Sequence, residues 1–457
     1  MNTFSRQRLL NAQLIVLLIL SFFSISPAIQ GQSSTTWVVD KTEDWKQNTS
    51  QASGVTAKQH VLQLTEDSGT YRSRIRTFSK KRSPDSLTLK QSRAWTNWTL
   101  KKGISPGGGD APVFLVAGKN DYWYLNASSG GGPYHAWHST DMKNWTAYPE
   151  AVGVDWVTSA EYADGTFYIY YDEPNDEDPH LIMDDDLTDE KHQKKGEVFA
   201  DPSHGSDSGI FRAADGTFHL IYEDWSDINA AAHNWDSELA GHADSPDGIH
   251  GFKPHEHPPF IDERGKKEGD VQTYNHPNGT YRYQPRAEPI DAFGDYSMIR
   301  VGSTYYLFCD YDPHEKPIGL GYWYGSSLTE AFDPGGMIAE QFHPDPSVGF
   351  AEGQFYLFAQ RKGGTFVSPG PWTPTVRARA GVDQNGNGSI DEWTSWQTVR
   401  EEYRRKPGFS KIIETTNATL DLSELPSGTG VRFELKLEQT GAGKPKLDRA
   451  HVRFSDK

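Results

Sequence analysis

One short aromatic phrase returns five times along this chain: NDYWYLN, DGTFYIYYD, DGTFHLIYE, GSTYYLFCD and EGQFYLFAQ, centred near Trp123, Phe167, Phe218, Tyr305 and Phe355. Repetition at a period of roughly fifty residues is the mark of an architecture built from stacked copies of one supersecondary unit, and fifty is close to the length of a four-stranded propeller blade. Alternating and aromatic-rich runs bounded by Gly, Asn and Asp read as short strands, and no long stretch carries a helical apolar period. The expected fold class is therefore all-β, with a five-bladed β-propeller over residues 103–370.

A second element accompanies the first. HSTDMKNW (His138 to Trp145), ADSPDGIHGF (Ala243 to Phe252) and YGSSLTEAF (Tyr324 to Phe332) each place a serine, a turn former and then an aromatic. Such a phrase suits the outer hairpin of a blade. On either side of the repeats lie amphipathic strands: SGTYRSRIRTF and SLTLKQSRAW before them, and TVRARAGVD, IDEWTSWQTV, ATLDLSEL, VRFELKLEQ and LDRAHVRF after them. Together they resemble an accessory β-sandwich module of secreted carbohydrate-active proteins, and the reading is of one sandwich (32–102 and 371–457) interrupted by the propeller.

Residues 1–31 read as a signal peptide. Arg6 and Arg8 precede the apolar run LIVLLILSFF, and Ser26-Pro27-Ala28 follows with small residues suited to cleavage. Export from a bacterial cell, to the periplasm or beyond, is expected, with no membrane attachment after cleavage. The single cysteine, Cys309, leaves no intramolecular disulfide and sits among aromatics, as a small buried hydrophobe would. A formal net charge of −17 argues against nucleic acid as a partner. The histidines between Asp224 and Arg286, including His242, His250 and His255, follow no ligand spacing and read as solvated loop residues.

Each repeat also carries an acid a few residues ahead of its aromatic strand: Asp110, Asp155 or Glu161, Asp207, Asp295 and Asp345. Inner strands of a propeller begin near its axis, so corresponding acids converge there. Carboxylates brought close disfavour one another's charge, which separates an acid from a base. Hydrolysis of a glycosidic bond needs that division, one group protonating the leaving oxygen and another activating water.

These residues resemble the five-bladed propeller glycoside hydrolases, family 43 and its relatives families 32 and 117. Asp110 with Ala111-Pro112 is similar to the Asp-Pro start of the family's first blade, where the resemblance implies a general base. Asp207, in SDSGIFRAADGTFHL, is similar to the third-blade Asp that tunes pKa and positions substrate. The family's acid lies ahead of the fourth aromatic strand, and two residues share that description here: Glu288, with its Pro neighbour, and Asp295, with the better spacing to Tyr305. The resemblance implies a secreted hydrolase of a poly- or oligosaccharide, inverting if water separates acid from base, with no cofactor in the chemistry. Family 117 adds His204 as a reserve acid. Glu161 and Asp345 complete the ring as substrate-contacting or structural groups. A non-catalytic sugar-binding propeller and a polysaccharide lyase are the two rival readings.

A last motif, DQNGNGSIDEW, follows the first half of a calcium loop. Asp383, Asn385 and Asn387 take its oxygen-ligand positions, Gly388 its sharp turn, and Asp391 the ninth position, while Thr394 stands where a bidentate Glu belongs. A structural calcium and a metal-free Asn-Gly turn both fit this pattern.

Overall fold

The computed structural model describes residues 35–107, 111–127, 132–149, 151–175, 178–200, 205–224, 240–255, 272–276, 279–283, 291–313, 317–340, 344–360, 364–372, 375–439 and 444–455. The proposed leader, Asp110, His204 and Glu288 lie outside them. Among the described residues no helix is long and apolar enough to cross a membrane. The described residues are all-β apart from one short helix, Thr42–Gln47, which buries Trp45.

Five sheets form the blades, each of four antiparallel strands, with a parallel neighbour added to the inner strand of the fourth. The inner strands are Val113–Gly118, Val157–Ala163, Gly205–Arg212, Ala292–Val301 and Ser347–Ala351, and each packs against the next until the fifth meets the first. All five aromatic phrases are the second strands, Asp121–Ala127, Thr166–Asp172, Phe218–Asp224, Thr304–Asp312 and Gln354–Phe358. A second strand of a blade is covered on both faces by neighbouring blades, which explains why these runs are apolar without alternation. Tyr124, Tyr170, Tyr222, Tyr306 and Phe355 are buried accordingly. The serine phrases are the turns from third to fourth strand. In blade one Ser139 Oγ accepts the amide of Met142, and Asp141 Oδ1 accepts those of Lys143 and Asn144.

The ring is closed by hydrogen bonds as well as packing. Ser159, Ser297 and Ser347 hydroxyls accept the amides of Ile210, Val348 and Phe114, each one blade onward. Blade five takes its outermost strand, Thr99–Lys101, from the segment ahead of blade one. Just before it, Trp95 stacks on Trp98 at 4.6 Å and donates its indole N–H to Ser368 at 2.7 Å, anchoring the entry segment to blades four and five.

Apart from Tyr403–Arg405 and Ile412–Thr415, which extend the sheet of blade four, the remaining strands outside the propeller pair with one another across the length of the chain. Ser68–Ser73 lies beside Gly428–Glu438, and Thr36–Val39 beside Lys446–Ser455. The sixteen-residue strand Arg76–Gln91 pairs with Gly428–Glu438 near its start and with Lys446–Ser455 beyond, so it passes from one sheet into the other. Trp37, Tyr71, Leu87, Val431, Phe433 and Val452 belong to their shared core.

One expectation about side chains needs correction. His242 is not a solvated loop residue: it lies in the strand Ala240–Ser245, is 1% exposed, and stacks on His255 with ring centroids 4.3 Å apart. That strand is the third of its blade, and five of its six residues are buried.

Candidate active site

The inner strands of blades two, three and four each slip register near their start: at Val157/Ser159, Ser206/Gly209 and Gly294/Ser297. At the slip, or at the matching place, the backbone turns left-handed. The residues concerned are Ala111 (φ +30°), Trp156 (+55°), Asp207 (+48°), Asp295 (+49°) and Asp345 (+56°). Left-handed backbone at a residue with a side chain costs about 1 kcal/mol or more and is retained where the fold gains something from it. A β-bulge lifts a side chain out of the ladder and re-aims it. In blades three and four that bulge carries an aspartate, and in blade five Asp345 takes the same left-handed backbone just ahead of the inner strand.

Asp207, Asp295 and Asp345 are each half-buried, in contact with solvent but held largely within protein. Carboxylate oxygens of Asp295, Asp345 and Asp310 all lie within 4.8 Å of one another. Burial raises the pKa of Asp295 well above the ordinary carboxylate value, and the charges of Asp345, Asp207, Asp310 and Glu223 raise it further. Asp295 is therefore biased toward its protonated form.

Behind these three stands a second set of polar residues that the aromatic phrases end on: Asn126, Asp172, Glu223, Asp310 and Gln360. Asp172 Oδ2 accepts the amide of Asp207 at 3.1 Å, and Asp310 Oδ1 accepts that of Asp345 at 2.9 Å. In each case the acid of one blade fixes the left-handed residue of the next. Glu223 sits opposite Ser206 in the same register and adds its charge to the field at Asp295. Sequence reasoning missed this set because a terminal acid on an apolar strand looks like the start of a turn. Its signal was the recurrence of a polar residue at the last position of all five phrases.

The other anticipated residues fall as follows. In blade one the left-handed place belongs to Ala111, the neighbour of Asp110: Phe114, Ile210 and Val348 make equivalent bonds, and three residues back from them stand Ala111, Asp207 and Asp345. Blade two fills the place with Trp156. Glu161 does not join the group. It lies four residues further from the slip than Val157, about 13 Å along the strand at ~3.3 Å per residue, and is 1% exposed. Ser410 Oγ hydrogen-bonds its Oε1, and the Lys411 ammonium beside it donates to the carbonyls of Ala160 and Ile210 at 2.9 and 2.8 Å. Burial raises the pKa of Glu161, with Lys411 opposing, and lowers that of Lys411. Glu161 is thus occupied by a segment that follows the propeller, and not by an open pocket.

Among the described residues, two places offer oxygen ligands for a cation. Asp295, Asp310 and Asp345 are one, with the hard donors that calcium or magnesium prefers. The Asp383 loop is the other. There Asp383 Oδ1 and Oδ2 accept the amides of Gly386 and Gly388 at 2.7 and 2.9 Å, and Asn387 Oδ1 accepts that of Ser389. Asn385 Oδ1 accepts the amide of Asn387, and its Nδ2 donates to Asp391, whose Oδ2 also accepts the amide of Gln384. Asp383, Asn385 and Asn387 thus turn oxygens toward one loop, as a calcium loop does, and those oxygens, like those of Asp391, accept N–H donors of the loop.

No family model matches the chain, and no curated protein matches it. Solved structures do, at low similarity. An exo-1,5-alpha-L-arabinanase from a bovine ruminal metagenomic library is 16% identical, covering 59% of this chain and 95% of its own, with a TM-score of 0.38. An alpha-L-arabinofuranosidase from Clostridium thermocellum is 13% identical over 68% of this chain and 95% of its own, TM-score 0.37. An endo-arabinase from Bacteroides thetaiotaomicron is 8% identical over 59% and 96%, TM-score 0.40. At these values neither fold nor chemistry is argued from the likeness, and both rest on the chain's own geometry.

Proposed function

We propose that the chain is a glycoside hydrolase acting on a poly- or oligosaccharide at the propeller axis. One observation carries the reading: Asp295, on a strained left-handed backbone, is biased toward its protonated form by burial and by carboxylates from the neighbouring blades. In this reading the Asp295 proton passes to the glycosidic oxygen as the bond from that oxygen to the anomeric carbon breaks. Water adds to the anomeric carbon and gives its proton to a carboxylate base, for which Asp110 is the candidate. Asp207 positions the sugar and holds the proton on Asp295 by its charge. Displacement by water in one step inverts the anomeric centre. Between the two candidate acids the reading favours Asp295 over Glu288. Asp345 belongs to the same cluster and contacts substrate; His204 remains a candidate substrate contact, and Glu161 is reassigned to the fold.

We further propose export with loss of residues 1–31, and a structural calcium at Asp383, Asn385 and Asn387, remote from the chemistry. The test of function is a panel of polysaccharides, including arabinan and xylan, assayed for new reducing ends. Release by the wild type and its loss in Asp207→Asn supports the reading. Sugar binding without release would favour a lectin-like propeller. The Asp295, Asp310 and Asp345 oxygens give a specific reason to watch for the lyase alternative, since a cation held there would neutralise a uronate; an unsaturated, ultraviolet-absorbing product would identify it.

A further inference from the structure

A cleft of about 340 Å³ lies between the sandwich and blade four, at the end of the propeller opposite the axial aspartates. Its floor includes Val301 and Gly302, which follow Asp295 by six and seven residues, roughly 20 Å along an extended strand. The other wall is the end of the long sandwich strand, with Lys90 and Arg93, faced by Glu401, Thr415, Asn417 and His451.

In a chain of net charge −17, two cations in a concave place would be expected to find carboxylates. Among the described residues, the side chains of Lys90 and Arg93 make no hydrogen bond and no ion pair. The carboxylates nearby are poorly suited to serve them. Burial pushes Glu401 toward its protonated form, and its Oε2 is already hydrogen-bonded by the Tyr403 hydroxyl at 3.2 Å. Burial also raises the pKa of Asp448, against the pull of Lys90, Arg93 and Arg449. Arg449 itself pairs with Asp40 at 3.2 Å. His451 adds a ring nitrogen, Nε2, that is shielded from solvent and has no partner. Around these groups the lining is hydroxyl and amide, from Thr415 and Asn417 among others.

We propose that this cleft is a second carbohydrate site, which binds an acidic saccharide by seating its carboxylate or sulfate between Lys90 and Arg93 and its hydroxyls against Asn417 and Thr415. Two cations that make no hydrogen bond and no close ion pair, facing hydroxyl and amide groups across one cleft, suit a ligand of that chemistry. The volume is at the low end of small-molecule sites and suits one or two sugar rings. The site stands apart from the axial acids and does not depend on their being catalytic.

The test is titration calorimetry of the full chain at low salt with three disaccharides of equal length, one uronate, one sulfated and one neutral, and with inorganic sulfate. Binding of the uronate or the sulfated sugar, weakened by added NaCl, with no binding of the neutral one, is expected, and which acidic arm binds names the source of the charge. Lys90→Gln/Arg93→Gln lowers that affinity at least tenfold, while Asp207→Asn leaves it unchanged. Lys90→Gln alone, at an exposed position, gives the same direction should the double variant fold poorly. Equal affinity for the neutral sugar or for inorganic sulfate overturns the proposal. So does the absence of any binding, or loss of binding in Asp207→Asn with retention in Lys90→Gln/Arg93→Gln.

Discussion

Replacing Asp295 by asparagine should make the protein more stable, and increasingly so as the pH rises. The substitution is nearly isosteric and keeps a residue type that accepts left-handed backbone. It removes the ability to ionise. In the unfolded chain an aspartate titrates near ~3.9. In the fold, burial and the charges of Asp345, Asp207, Asp310 and Glu223 raise the pKa of Asp295 well above that. Below both values the group is protonated in either state, and its protonated form contributes fully. As the pH climbs past the unfolded value, only the unfolded chain releases the proton, and the wild type loses about 1.4 kcal/mol per pH unit until the folded value is reached. Asp295→Asn escapes this loss. Urea unfolding followed by tryptophan fluorescence, in EDTA-containing buffer at several values from pH 3.5 to 8, reads the difference. The two proteins should agree within about 0.5 kcal/mol at the acid end and then diverge in favour of the variant. A difference that stays flat with pH, or that grows in favour of the wild type, refutes the proton-holding account. The same series with calcium added separates a bound cation, which favours the ionised cluster and reverses the slope.

Other substitutions test other joints of the argument. Asp207→Gly relieves the left-handed strain at φ +48°, so it should raise the melting temperature by an amount equivalent to about 1 kcal/mol while activity falls a hundredfold or more; retained activity contradicts its assignment. Lys411→Met leaves Glu161 buried beside Ser410 without its cation and should cost about 3–5 kcal/mol, part of which Glu161→Leu/Lys411→Met restores. A single-variant cost below about 1 kcal/mol in urea titration would show that the pair does not hold the propeller to its following segment. Trp95→Ala empties a fully buried site between Trp98, Tyr306 and Phe355, and differential scanning calorimetry should record a loss of about 3–5 kcal/mol. Chelation should lower the melting temperature of the wild type but not of Asp383→Asn if the loop holds calcium.

The propeller was legible because its most constrained strands are also its most repetitive. Each second strand is buried on both faces, so each must be aromatic and branched, and the five copies resemble one another for that physical reason. Asp207, Asp295 and Asp345 were legible through their fixed distance to those strands. Blade one shows the limit of counting: Asp110 is one residue from the left-handed place, which Ala111 holds, because the inner strand's register and not the residue type sets the place. Glu161 shows another limit. It has the residue type and the approximate spacing, yet Ser410 and Lys411, some 250 residues away in sequence, claim it. No local pattern announces a contact of that range. The acids at Asp172, Glu223 and Asp310 were written at the end of every phrase, but their role appears only when antiparallel pairing sets them opposite the bulges. The same holds for His242, whose strand lies within a polar stretch.

The central claim is that Asp295 donates a proton to a departing sugar oxygen, and leaving-group dependence tests it most directly. The measurement compares wild type and Asp295→Asn on the natural glycan and on an aryl glycoside of the sugar it releases, whose phenolate departs without protonation. The variant should lose roughly a hundredfold to ten-thousandfold in kcat/KM on the glycan and far less on the aryl glycoside. Equal losses on both substrates, or undiminished turnover of the glycan, would contradict it.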